Sequence, residues 1–182
     1  MPGGPAAASP LARALDWLAA RDRSEREIRE RLARWGLADA EGAALLATLR
    51  ERGLVDDGRL AERICDWHDR HDPLGPLRLR ERLARRGIAA ADGEAAIAAR
   101  APEAVQLALA ERLLARRGAA LAALPPAQGR RRLHDFLARR GFSAGVRRAL
   151  CARRWPAGAG ADGEADGDWP LEQAASLDGG EA

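Results

Sequence analysis

The chain has 182 residues, enough for one ordinary domain or for several small modules that share a continuous core. All 30 of its basic residues are Arg, so the P-loop lysine, Schiff-base chemistry and a lysine general base are excluded before any site is sought. The net charge of +3 hides an asymmetry: residues 156–182 hold seven acids and no Arg, leaving 30 Arg against 20 acids in residues 1–155, a body of +10 beside a tail of −7.

From the N-terminus, residues 1–9 are rich in Pro, Gly and Ala and offer no periodic apolar stripe, so they are expected to be disordered. They also lack the charged start and apolar centre of a signal peptide. Apolar residues then recur at i, i+4, i+7, as in Leu11/Leu15/Leu18, Ile28/Leu32/Trp35 and Leu60/Ile64/Trp67, which is one face of a helix. These faces place Trp17, Trp35 and Trp67 in the core. Nothing alternates with period 2 over a strand's length.

Helices are expected near 10–21, 25–35, 40–52, 58–71, 76–86, 93–100, 102–117, 128–140 and 144–154. Ser24 with Glu27 reads as a capping box, Asp57, Asp92 and Ser143 as N-caps, and Pro102 as a first-turn proline. Gly36, Gly53, Gly87, Gly118 and Gly141 each follow an Arg-containing last turn, the chemistry of a left-handed residue that ends a helix.

The pentapeptide LARRG occurs at 83–87, 114–118 and 137–141, with LARWG at 32–36. In three of the four copies a large apolar residue follows the glycine (Leu37, Ile88, Phe142), and the Leu five positions before it completes a Schellman ending. The same copies carry an acid and an Arg at i,i+4 (Glu30/Arg34, Glu81/Arg85, Asp135/Arg139), expected to pair on the helix surface. The copy at 114–118 lacks these features and reads as a helix ending only. The three glycines are 51 and 54 residues apart, so the repeat unit is about three short helices. The fold class is therefore all-α, with three tandem three-helix repeats (10–54, 55–101, 102–155) stacked into an elongated, slightly curved array, flanked by disordered termini at 1–9 and 156–182.

No constellation carries catalysis. Ser24 and Ser143 read as caps and no GxSxG surrounds a serine; Asp56 and Asp57 mark a helix start rather than a carboxylate pair. Cys65, His68 and His71 fan around their helix, and Asp66, Asp69 and Asp72 read as a solvated face, so no metal or cofactor is expected. Two isolated cysteines and the lack of a long apolar run point to a cytoplasmic, non-membrane protein.

Binding is the more informative class. Arg78, Arg82 and Arg85 fall at i, i+4, i+7 on one stripe and form the best contact surface. Arg130, Arg131 and Arg132 stand together at a helix start, where positive charge opposes the dipole, so an anionic partner would account for them. Arg139 joins them as a candidate, although it, Arg34 and Arg85 are also accounted for by an acidic i,i+4 neighbour and a helix C-terminus. The −7 tail is expected to fold back transiently and compete with phosphates for the Arg-rich face. Trp169, at DWPL within it, reads as a docking motif or as tail composition.

Three blocks, SEREIRERLARWGL, GLVDDGRLAERICDWHDRHDPLGPLRLRERLARRGI and RRRLHDFLARRGFSAGVRRAL, resemble the RecX regulators of the RecA recombinase over roughly residues 11–152. Leu60 stands where the family usually has Phe, Tyr is absent, and the acidic tail is outside the pattern. The resemblance implies a non-enzymatic protein that binds the RecA filament on single-stranded DNA and restrains its extension, ATP hydrolysis, strand exchange and SOS coprotease function; the chain is expected to be a monomer. The alternative is an Arg-rich helical module that binds DNA directly and nonspecifically, without RecA.

Overall fold

A computed structural model describes residues 9–117 and 124–156. The expected disorder of both ends, the ending at Gly118 and the role of Trp169 lie outside these residues. Nine helices are described, and among the described residues there is no strand: α1 (Pro10–Ala19), α2 (Glu25–Arg34), α3 (Asp39–Glu51), α4 (Asp57–His71), α5 (Pro76–Arg85), α6 (Ala90–Ala98), α7 (Glu103–Arg117), α8 (Pro126–Arg139) and α9 (Ala144–Arg154).

The helix starts follow local chemistry, with corrections to the sequence expectations. Ser9 belongs to α1 rather than to the tail, since its Oγ accepts the Ala12 N–H at 3.2 Å and Pro10 fills the first turn. The Ser24/Glu27 capping box forms in full. Asp56, not Asp57, caps α4 by accepting the Arg59 N–H at 2.8 Å. Asp92 is not a cap either: α6 starts at Ala90, three residues before the expected boundary, because the Ala run extends the helix backward and leaves Asp92 in the first turn. The Pro102 carbonyl accepts the Val105 N–H, so this proline precedes α7 instead of opening it. Ser143 caps α9 as expected, accepting the Val146 N–H at 3.3 Å.

The glycine endings are the most regular feature. Gly36, Gly53, Gly87 and Gly141 have φ of +81°, +65°, +79° and +79°. Behind each, two backbone bonds close a Schellman motif, such as Ile88 N–H to the Leu83 carbonyl at 3.1 Å and Gly87 N–H to the Ala84 carbonyl at 2.9 Å. In all three central helices the next helix begins two residues past the apolar residue that follows the glycine (Leu37, Ile88, Phe142). The turn therefore fixes the angle at which the third helix of each unit returns.

Burial divides accordingly into three clusters. Ala14, Ile28, Leu32, Leu46, Leu49 and Val55 form the first. The second gathers Leu60, Ala61, Cys65, Leu79, Leu83, Ile88 and Ile97 among others, and the third Leu109, Leu113, Leu133, Leu137, Phe142, Val146, Leu150 and Trp155. Trp17 and Trp35 pack at the edge of the first cluster, 6.5 Å apart and edge-to-face. Trp67 is not a core residue. It is 51% exposed and stacks on His71, because Cys65 and His68 instead point inward from α4.

Asp66 and Asp69 are not a merely solvated face. With Glu62 they hold the buried Arg100 guanidinium, whose Nε reaches Asp69 Oδ2 at 2.7 Å and whose Nη2 reaches Asp66 Oδ1 at 2.5 Å. A further bond to the Ala96 carbonyl at 2.5 Å fixes the end of α6 against α4. Burial alone would weaken the Arg100 charge, but these acids more than offset it and its pKa is raised.

The endings also predict unequal costs of substitution. Gly36→Ala meets an unfavourable φ in open space, whereas a Cβ at Gly141 would also overlap the Arg78 backbone. Gly36→Ala should cost about 1–2 kcal/mol, and Gly141→Ala distinctly more, as read by urea unfolding. Equal losses would show that the Arg78 contact yields without cost.

Candidate functional site

The units meet end to end, and the meeting point is the RRG ending. The N-terminus of α2 abuts the C-terminus of α5: Ser24 Oγ donates to the Arg86 carbonyl at 2.6 Å, and Arg26 Nη2 donates to the Arg85 carbonyl at 2.5 Å. The N-terminus of α5 abuts the C-terminus of α8 in the same sense, with Gly75 N–H donating to the Arg140 carbonyl at 2.8 Å and Leu77 N–H to the Gly141 carbonyl at 3.3 Å. Carbonyls that a helix end leaves without an internal partner are thus satisfied by donors from the start of another helix. The approach is close enough that a Cβ at Gly75 would overlap the Gly141 carbonyl.

The Arg immediately before each glycine completes the junction. Arg86 Nη2 reaches both the Asp22 carbonyl at 3.3 Å and Glu27 Oε2 at 3.2 Å, and Arg140 pairs with Asp72. The sequence reading missed Arg86 and Arg140 in favour of the Arg one position earlier. The available signal was the exception: the first copy has Trp35 at this place, and among the described residues no other unit abuts the C-terminus of α2. A second tie crosses the same boundary, where the Glu25 N–H donates to Asp57 Oδ1 at 2.9 Å. Asp57 is therefore an inter-unit acceptor, and burial first of all raises its pKa.

The structure disperses part of the predicted Arg set and unites another part. Arg78, Arg82 and Arg85 are exposed along α5, as are Arg131, Arg132 and Arg139 on α8. Arg78 and Arg139 come together: with Leu77, Glu81, Ala138 and Gly141 they line an open groove of about 410 Å³ at the second junction. Arg130 is directed elsewhere, its Nη2 donating to the carbonyls of Trp155 at 3.0 Å and Pro156 at 3.3 Å. The triplet also lies one turn inside α8, which begins at Pro126 rather than at 128, so its conflict with the helix dipole is smaller than expected.

None of the three i,i+4 pairs forms as expected. Glu81 pairs with Arg78 at 2.6 Å, Arg34 Nε donates to the Glu30 carbonyl instead of its carboxylate, and Asp135 lies against His134. A long guanidinium reaches several acceptors from one exposed position, and the differences among them are a few tenths of a kcal/mol. Among the described residues, no acid pairs with Arg139.

The buried titratable groups on α4 are structural in their settings. Cys65 is fully buried, and desolvation pushes its thiol up to about 11, which leaves it protonated and unreactive. His68 Nδ1 lies 3.1 Å from the Asp72 carbonyl, beside the second junction. Burial lowers its pKa, and the Arg82 and Arg140 charges act in the same direction against the Asp72 interactions. The unfolded chain thus takes up a proton at the ordinary imidazole pKa while the folded chain resists it, so stability present above about pH 6.5 should fall as pH drops through the lower folded value. A titration of the His68 ring by NMR should give a midpoint below that of a free imidazole, with melting temperature falling over the same window. A midpoint at or above the ordinary value would contradict this placement.

Comparison with known proteins agrees with this architecture. The family model for RecX, first three-helix domain, matches residues 11–49. Regulatory protein RecX of Stenotrophomonas maltophilia (strain R551-3) is 35% identical over 143 residues, which covers 78% of this chain and 85% of that protein. Regulatory protein RecX of Halorhodospira halophila (strain DSM 244 / SL1) is 37% identical over 142 residues, covering 76% and 84%. A crystal structure of regulatory protein RecX superposes with a TM-score of 0.67 at 25% identity, over 77% of this chain and 68% of that one. RecX from Lactobacillus salivarius shares the fold, with a TM-score of 0.67 at 18% identity over 79% and 93%. With its relatives matched along most of their length and its three units joined in one all-helical array, the chain belongs to the RecX family of regulatory proteins.

Proposed function

We propose that this chain restrains a RecA-type recombinase by binding its filament on single-stranded DNA, as a monomeric cytoplasmic protein without catalysis of its own. The units it would use are 10–54, 55–101 and 102–155. The observation that carries the reading is the end-to-end array itself: units joined at their helix ends display guanidiniums on successive central helices, with Arg78 and Arg139 of neighbouring units in one groove. A ligand of this form touches adjacent subunits of a filament together. If it prefers a short or inactive filament, it shifts the population by its differential affinity alone.

The reading is tested with cognate RecA on single-stranded DNA. Substoichiometric amounts of the protein should slow ATP hydrolysis and strand exchange; full recombinase activity at saturating protein would refute it. Direct Arg–phosphate binding is the competing reading, and it requires affinity for bare DNA that weakens steeply with salt and needs no recombinase.

The exposed α5 stripe makes the test local. Arg78→Ala with Arg82→Ala should weaken filament binding about tenfold or more, a loss of roughly 1.4 kcal/mol or above. Helix content and melting should hardly change, because exposed charges contribute little to folding. An affinity equal to the parent's would remove this surface from the interface.

A further inference from the structure

The groove at the second junction has a composition that selects its occupant. Ala138, Gly141 and a Leu77 side chain left 57% exposed form its apolar lining, and one guanidinium comes from each of the two helices, Arg78 from α5 and Arg139 from α8. The Arg78 charge is shared with Glu81 at 2.6 Å, whereas Arg139 has no acid partner among the described residues. At the first junction Ser24, Arg26 and Arg86 occupy the corresponding meeting point with hydrogen bonds. The second therefore suits a short segment with acids flanking large apolar side chains.

The chain carries such a segment beyond Pro156. Asp166 and Asp168 precede Trp169-Pro170-Leu171, and Glu172 follows. Trp169 stands in a tail that has seven acids and no Arg. The reach is sufficient. Arg130 holds the Trp155 and Pro156 carbonyls against α8, and Arg139 lies nine residues further along that helix, roughly 14 Å in rise and on its opposite side. The 12 residues from Ala157 to Asp168 span up to about 40 Å when extended, enough to pass around a helix about 10–12 Å wide.

We propose that the groove lined by Leu77, Arg78, Ala138 and Arg139 is a docking site for the chain's own acidic tail, with Trp169 and Leu171 on the apolar lining and Asp166, Asp168 and Glu172 toward the two guanidiniums. A tether of this length makes the contact intramolecular, so weak individual contacts suffice to populate it. Arg78 and Arg139 are then masked in part of the population, and any partner that uses them binds with an affinity reduced by the fraction of chains whose groove is open. This occupancy belongs to the free chain and does not depend on the recombinase reading.

The test uses the full-length, nitrogen-15-labelled protein alone at low salt, with the Trp169 indole resonance identified by Trp169→Phe. In Trp169→Ala/Leu171→Ala, the amide resonances of Leu77, Arg78, Ala138, Arg139 and Gly141 should shift by several linewidths while those of α1 to α3 stay in place. In the reciprocal variant, Arg78→Gln/Arg139→Gln, the Trp169 indole resonance should move to the position it takes in the parent protein at high salt, where screening releases the acids. Circular dichroism of both variants should match the parent; the tail variant alters no described residue, so it keeps the test decisive if the groove variant unfolds. Groove resonances that coincide with the parent's in the tail variant would overturn the proposal. So would shifts spread evenly over every Arg-bearing helix, which would mark a diffuse charge effect, or shifts that grow with protein concentration, which would place the tail in a second copy's groove.

Discussion

The array depends on one exchange between helix ends. A helix leaves donors unpaired at its start and acceptors unpaired at its finish, and a glycine in the left-handed region turns the chain away so that the finish stays accessible. Here the finish of one central helix receives the start of another, through Ser24 on the Arg86 carbonyl and Gly75 on the Arg140 carbonyl. Each small apolar cluster would be a modest core by itself. Joined in this way, the clusters become one continuous structure, and the surface they present has a defined spacing.

The all-Arg composition has a structural use in this arrangement. At the first junction a single guanidinium reaches a backbone carbonyl and a carboxylate of the neighbouring unit. Both bonds leave the same Nη2; the planar fork that an ammonium lacks is used at Arg100, where separate nitrogens reach separate acids. Buried Arg100 performs a comparable task inside the second unit by holding acids on α4. Glu27, which joins the capping box to Arg86, shows the electrostatic result: burial pushes its pKa up, but the Ser24 N–H and the Arg86 and Arg21 charges outweigh that and hold it below the usual value. Many of the arginines that make the sequence look like a nucleic-acid binder are thus committed to the fold.

Much of that fold was legible because its punctuation is local. Glycine after an Arg-bearing turn, an apolar residue next, and leucine five positions before it are enough to mark the endings and the repeat. Starts were harder: an Ala run serves as well as a side-chain cap, which is why Asp92 misled, and of two adjacent acids it was Asp56 rather than Asp57 that took the cap of α4. Ion pairs were hardest. Spacing shows which acids lie within reach of an Arg, but Glu81 turned to Arg78 when Arg85 was as near in sequence. The meaning of Arg86 and Arg140 needs knowledge of where the neighbouring unit sits, which no single helix contains. The family resemblance supplied the architecture as a whole, and the candidate surface was legible only in part: Arg78 and Arg139 share a groove, whereas Arg130 serves the end of α9.

Head-to-tail contacts of this kind carry a hazard of their own, since a surface that accepts the next unit at one end and offers itself at the other would link separate molecules into an endless fibre. Both free ends depart from the pattern. At the outer end of α2 the place of Arg86 and Arg140 is taken by Trp35, which lies against Trp17 with the Arg13 guanidinium 4.4 Å above its ring. At the start of α8 the capping residue is Pro125, which has neither the hydroxyl of Ser24 nor the N–H of Gly75 with which to engage a foreign carbonyl. Among the described residues, the side chains that make the joint are therefore replaced at both outer ends of the array.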